Sequence, residues 1–269
     1  MSGSEPPPGD LTPPVVPAEA YTEEYYRTAN WGHETWAASE GAIISPIYPS
    51  ALRMAGLRPT ERVVDIGTGR GELLVAAVQA GADRAVGVEY STAALDLARR
   101  TLVRHEVTER AEVIEADARS IPLDDGWADL VTLLDVAEHL SPAELAGSLD
   151  EAHRILRPGG RVFVHTMPNR LIYDVTYRVL RATVGRSWPK DPRNAWEHQM
   201  HVNEQSARSL RDALRGAGFQ PDVRHGKFVY VDFFPSPRAR ALVRAMSRLP
   251  GLRRLALGDL WGTGLKPAA

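Results

Sequence analysis

The run Val63-Val64-Asp65-Ile66-Gly67-Thr68-Gly69-Arg70-Gly71-Glu72-Leu73-Leu74 decides how this chain folds. Val63 to Ile66 suits a buried strand, the alternating glycines a tight turn, and the residues after Gly71 the start of a helix. Glycine lets the backbone approach a ligand closely, and a helix start presents N–H groups with no partner of their own. A dinucleotide-binding turn would need glycine at position 72, where Glu72 stands. A carboxylate there also opposes a pyrophosphate, because helix starts attract anions. The turn is therefore expected to hold a ligand that carries no phosphate at this point.

Further segments follow in a consistent order. Arg84 to Glu89 reads as a second strand ending in an acid, the place at which a nucleoside-binding α/β fold bonds ribose hydroxyls. Glu112 to Asp117 reads as a third strand ending in an acid, and Asp129 to Asp135 as a fourth, leading into Glu138-His139. Glu151 to Thr166 closes a helix at Pro158-Gly159-Gly160 and opens a fifth strand. Together these motifs resemble class I S-adenosylmethionine (SAM) dependent methyltransferases, in particular the small-molecule enzymes of ubiquinone biosynthesis and antibiotic pathways. The resemblance is specific over about residues 55–170 and loose over 203–225.

It implies an α/β, Rossmann-like, doubly wound seven-stranded sheet, mostly parallel with an antiparallel last strand and helical cap insertions. It implies SAM as cofactor, released as S-adenosylhomocysteine (SAH). The cofactor-binding residues it implies are Asp65, Gly67, Thr68, Gly69, Gly71, Glu89, Tyr90, Asp117, Ala118 and Asp135. In such enzymes Asp65 would assist the methionine amino group, Glu89 would take the ribose, and Asp117-Ala118 would meet the adenine edge.

Composition narrows the class. A chain of 269 residues with 43% hydrophobic content can bury one substantial core. With no cysteine there is neither a disulfide nor thiolate chemistry, and a reducing cytoplasm is the expected home. No stretch is long and apolar enough to span a bilayer, so stable membrane insertion is not expected. A net charge of −2 argues against a nucleic-acid partner bound through a broad phosphate footprint.

The expected organisation is a disordered, proline-rich tail over 1–20, an N-terminal helical lid over 21–60, and a SAM-binding domain over 61–269 with inserts at 168–201 and 228–254. Tyr21, Tyr25, Tyr26, Trp31 and Trp36 concentrate aromatics in the lid. A helix is expected at 203–216 and a final antiparallel strand within 255–265. The 228–254 insert places Arg240, Arg244 and Arg248 on one helix face and Leu242, Val243, Met246 and Leu249 on the other. A solvated helix packed on the domain, a cap over the substrate pocket, and a membrane-surface or anionic-ligand contact all fit that pattern.

A sulfonium methyl is already activated. The protein has to align nucleophile, methyl carbon and sulfur, exclude water, and remove a proton where the nucleophile carries one. His139, at the carboxyl end of the fourth strand, is the expected base toward an oxygen acceptor, with Asp135 and Glu138 as neighbouring alternatives and His165 nearby. His198 and His201, one helical turn apart in the insert, are candidates to face the substrate. With Glu197 and Glu204 they offer ligand types for a cation, but the spacing lacks H-E-x-x-H and magnesium prefers oxygen, so no metal is expected. The acceptor is expected to be a hydrophobic small molecule, with the insert's arginines leaving room for an anionic group on it. Methylation of a carbon or nitrogen, and a non-methylating reaction such as cyclisation, are the alternatives.

Overall fold

Strand-forming and helix-forming segments alternate from Arg62 onward, and the computed structural model shows what they build. It describes residues 11–29, 32–229, 231 and 233–268. Three short helices lead in: α1 (Glu23–Thr28), α2 (His33–Ser39) and α3 (Ile47–Met54). Then β1 (Arg62–Ile66), α4 (Glu72–Gln79), β2 (Arg84–Glu89), α5 (Thr92–Arg104), β3 (Ala111–Glu115), β4 (Ala128–Leu134), α6 (Pro142–Ile155) and β5 (Leu156–Thr166) form the repeating unit. Beyond them lie α7 (Arg178–Thr183), α8 (Ala195–Met200), α9 (Ala207–Gly216), β6 (Gln220–His225), α10 (Pro237–Met246) and β7 (Leu260–Leu265).

The seven strands lie in the order β3-β2-β1-β4-β5-β7-β6. β1 to β5 run parallel, while β7 is antiparallel to both β5 and β6. Strand order reverses between β1 and β4, and the crevice outside their carboxyl ends is where such sheets bind ligands. Val63, Val64, Leu130, Val131 and Leu133 are buried because helices cover both faces. Leu73, Leu74 and Leu102 pack one face, and Leu145, Leu149, Leu210 and Leu214 the other.

Several boundaries differ from the sequence reading for local reasons. The helix expected from 203 begins at Ala207, because Ser206 supplies the capping box. β7 occupies only Leu260–Leu265, since residues 253–255 form a 3-10 turn instead. In α10 the buried residues are Ala239 and Val243, with Met246 half-buried, whereas Leu242 and, beyond the helix end, Leu249 are exposed. The helix is therefore rotated from the expected apolar face, toward Tyr177 and Phe234. Residues 1–10 of the expected tail, and Trp31, lie outside the described residues. Residues 11–20 lie against the domain, with Val16 buried and Val15 N–H donating to Glu144 Oε1 at 2.8 Å.

Candidate functional site

The glycine turn is closed by backbone geometry. Gly67, Gly69 and Gly71 have φ of 72°, 54° and 75°, the left-handed region that favours glycine. A Cβ on Gly67 would stand 2.5 Å from Val136 Cγ2, so the residue also has no room for a side chain. Thr68 is buried and its Cγ2 lies 2.6 Å from where a Cβ on Gly87 would sit, which presses the turn onto β2. Asp65 Oδ1 accepts the Thr132 hydroxyl at 2.6 Å, and burial pushes the Asp65 carboxyl up to about 7. Glu72 is buried in an ion pair with Arg70, whose Nη1 also donates to Tyr26 O at 2.6 Å.

Glu89 ends β2 and ties the turn to it. Its carboxylate accepts N–H bonds from Gly69 (3.1 Å), Tyr90 (2.9 Å) and Ser91 (3.0 Å), while burial raises its pKa. Asp117 lies just beyond β3. Burial would raise its carboxyl, but Arg119, at 2.9 Å and 2.7 Å, holds it below the ordinary range. Asp117 and Ala118 both line a small cavity of about 40 Å³.

A strap formed by residues 12–26 crosses this region. Tyr90 hydroxyl donates to Val16 O at 3.0 Å, and Ser91 Oγ to Tyr21 O at 2.9 Å. The Tyr26 ring stands 3.2 Å from where a Gly69 Cβ would be. The cavity beside Gly67 and Glu89 is then about 70 Å³, against roughly 300–1,000 Å³ for ordinary small-molecule sites. The donor set, an acid at each strand end around a glycine cradle, fits a cationic nucleoside sulfonium. The strap fills part of the space that such a group needs.

Next to it opens a larger cavity of about 320 Å³ with Tyr25, Trp196 and Phe228 among its walls and Glu138, His139 and His201 among its polar lining. Trp196 stacks on Tyr25 with centroids 5.8 Å apart and planes 19° apart. His139 and His201 rings lie 5.0 Å apart. Burial, then the neighbouring His201, lowers the His139 pKa to about 3, so the ring is neutral. Burial likewise lowers His201. Burial, then Asp135, raises the Glu138 carboxyl, which accepts the Thr166 hydroxyl at 2.7 Å.

Asp135 follows β4 at φ 55°, a strained setting that Asp tolerates better than most residues. It meets His165 Nδ1 at 2.7 Å, and Asp259 lies 3.7 Å from the other ring nitrogen. Burial alone would lower His165, but Asp135 and Asp259 outweigh it and raise the ring to about 9.

The structure thus gathers Asp65, Gly67, Thr68, Gly69, Gly71, Glu89 and Tyr90 around one turn, with Asp117 and Ala118 one strand farther out. His139 lines both the cofactor-side and the larger cavity, and His201 joins it. His198 does not line the larger cavity: its side chain is half exposed and lies 3.7 Å from Asp191. Sequence reasoning missed Tyr25 and Trp196 as a stacked pair, and Asp259. The capping box Asn194-x-x-Glu197 was the available signal for α8. Asp259 had none, because only the β5–β7 pairing brings it to His165.

With this geometry in place, known proteins give a consistent picture. Residues 63–160 match the family described as a methyltransferase domain. That match spans 98 of the 269 residues, from β1 into β5, and takes in the glycine turn, Glu89 and Asp135. A probable S-adenosylmethionine-dependent methyltransferase of Mycolicibacterium smegmatis (strain ATCC 700084 / mc(2)155) is 30% identical over 162 residues, 60% of this chain and 52% of that protein. The 27-O-demethylrifamycin SV methyltransferase of Amycolatopsis mediterranei (strain S699) is 30% identical over 139 residues, 49% of this chain and 50% of that one. The chain thus spans about half the length of these curated relatives. Among solved structures, a [4+2]-cyclase shares the fold at a TM-score of 0.60 and 18% identity, covering 90% of this chain and 86% of its own. The match ends at Gly160, so the aromatic cavity is walled largely by segments outside the matched region.

Proposed function

We propose that this protein transfers the methyl group of SAM to an oxygen of a hydrophobic small molecule. The observation that carries the reading is the larger cavity, aromatic along Tyr25, Trp196 and Phe228, which shares His139 with the cofactor-side space. In the transfer the sulfur–methyl bond breaks as the oxygen–methyl bond forms, a neutral thioether leaves, and the hydroxyl proton passes to the neutral imidazole of His139. The chain's contribution is alignment, exclusion of water, and a polar centre at His139 and His201 against which the acceptor's hydroxyl can rest. His198 is not assigned a part in it. No Arg or Lys lines this cavity among the described residues, so an anionic group on the acceptor has no counter-charge there. The absence of cysteine supports a reducing cytoplasm as the setting.

The test is methyl transfer from methyl-labelled SAM into a small-molecule extract of the source organism, with products resolved by chromatography and mass. Label in a discrete organic-soluble product, with stoichiometric SAH, supports the reading. NMR of that product separates O- from C- and N-methylation. Tight SAH binding without label in any product favours a non-methylating reaction, the second reading, which the likeness to a cyclase keeps in view.

A further inference from the structure

Two buried side chains and a half-buried one converge at the floor of the larger cavity without a shared hydrogen-bond donor. Glu138, His139 and His201 each offer one ligand atom, and these atoms lie within 4.8 Å of one another. Glu138 is 1% exposed and His139 7%. The Nδ1 atoms of His139 and His201 are buried with no hydrogen-bond partner. Glu204, 4.0 Å from His201 Nδ1, is engaged by Arg193 at 2.9 Å and 2.5 Å. Buried lone pairs with nothing to donate to them are unfavourable, and native proteins rarely leave several together.

We propose that Glu138, His139 and His201 form a binding site for one divalent transition-metal ion. Two imidazoles and a carboxylate are the donor set of open catalytic zinc sites, and they suit borderline metals better than magnesium. Bonds of about 2.0–2.1 Å place tetrahedral ligand atoms about 3.3 Å apart, so the three must draw together by roughly an ångström each. His201 caps the carboxyl end of α8, a short helix, so its share of that movement falls at a helix end. The Thr166 hydroxyl, bonded to Glu138 at 2.7 Å, orients the carboxylate as supporting groups do around metals. The ion's remaining position faces the cavity of about 320 Å³ and takes an oxygen of the acceptor: a hydroxyl, an enol or a carboxylate. The assignment of that position to the acceptor rests on the function proposed above. The metal site itself does not.

The experiment uses the full chain, stripped with chelator and dialysed, then titrated with Co²⁺ by visible absorption and with Zn²⁺ by calorimetry. One ion per chain is expected, with the intense bands of a low-coordinate cobalt site. His201→Ala and Glu138→Gln are each expected to weaken binding by a hundredfold or more. SAH affinity within about twofold of the parent shows that His201→Ala is folded. No saturable uptake by the parent chain overturns the proposal whatever the variants do. Uptake that survives His201→Ala and disappears in His198→Ala also overturns it, by placing the ion on the exposed His198–Asp191 pair. Full methyl transfer by metal-free enzyme that takes up no cobalt overturns the site while the function stands. Specific uptake in a chain that methylates nothing supports the site and removes the acceptor from it.

Discussion

One carboxylate organises the turn. Glu89 holds the N–H groups of Gly69, Tyr90 and Ser91, and any cofactor hydroxyl at this strand end must share the same two oxygens. Glu89→Gln keeps the shape but turns one acceptor into a donor aimed among donors. It is expected to weaken SAH binding by about tenfold or more in calorimetry, the loss of one to two charge-assisted bonds. Unchanged affinity would remove Glu89 from the ribose role. At this scale the sequence was most informative where the chemistry is local: a glycine at positive φ and an acid at a strand end are marked by their own neighbours. It was silent where distant segments meet. Nothing near Asp259 announces His165, and nothing near His139 announces His201 from beyond β5.

The strap that crosses the carboxyl ends of β2 and β3 carries its own energetic consequence. Its hydrogen bonds to Tyr90 and Ser91 must open for a cofactor of ordinary size to enter a space of about 70 Å³. A typical hydrogen bond contributes about 1 kcal/mol, or about fivefold in an equilibrium. Tyr90→Phe removes the bond to Val16 O and keeps the ring. SAH is expected to bind about fivefold more tightly, or enter correspondingly faster in stopped-flow; the same constants as the parent would mean that the strap need not open. Residues 11–20, rich in proline, read as disordered in sequence, yet Val16 finds a buried seat because Tyr90 and Leu97 offer one. Likewise, packing on Tyr177 and Phe234 buries Ala239 and Val243 of α10 and leaves Leu242 exposed, a choice that the apolar pattern did not mark.

Across the whole molecule, Arg161 in β5 clamps three segments. It donates to Ala55 O and Gly56 O behind α3 and pairs with Glu61 before β1 at 2.9 Å and 2.8 Å. Burial would raise the Glu61 carboxyl, but the Arg161 bonds and the Arg58 N–H lower it. A depressed folded-state pKa means that this pair's stabilisation is present above the unfolded value of about 4.3 and is lost as pH falls through the folded value. Arg161→Ala is expected to lower Tm by several degrees, about 5 °C, at pH 7. The Glu61-dependent part of that gap should shrink in melts below about pH 4. A gap as wide at pH 3 as at pH 7 would assign the whole effect to the carbonyl contacts.

Tyr25 belongs to both chambers: its ring borders the cofactor-side space and also stacks on Trp196 to wall the aromatic cavity. The larger chamber is therefore walled on this side only while the strap holds the position that narrows the smaller one. Any displacement of Tyr25 reshapes both chambers at once, and neither can be resized alone.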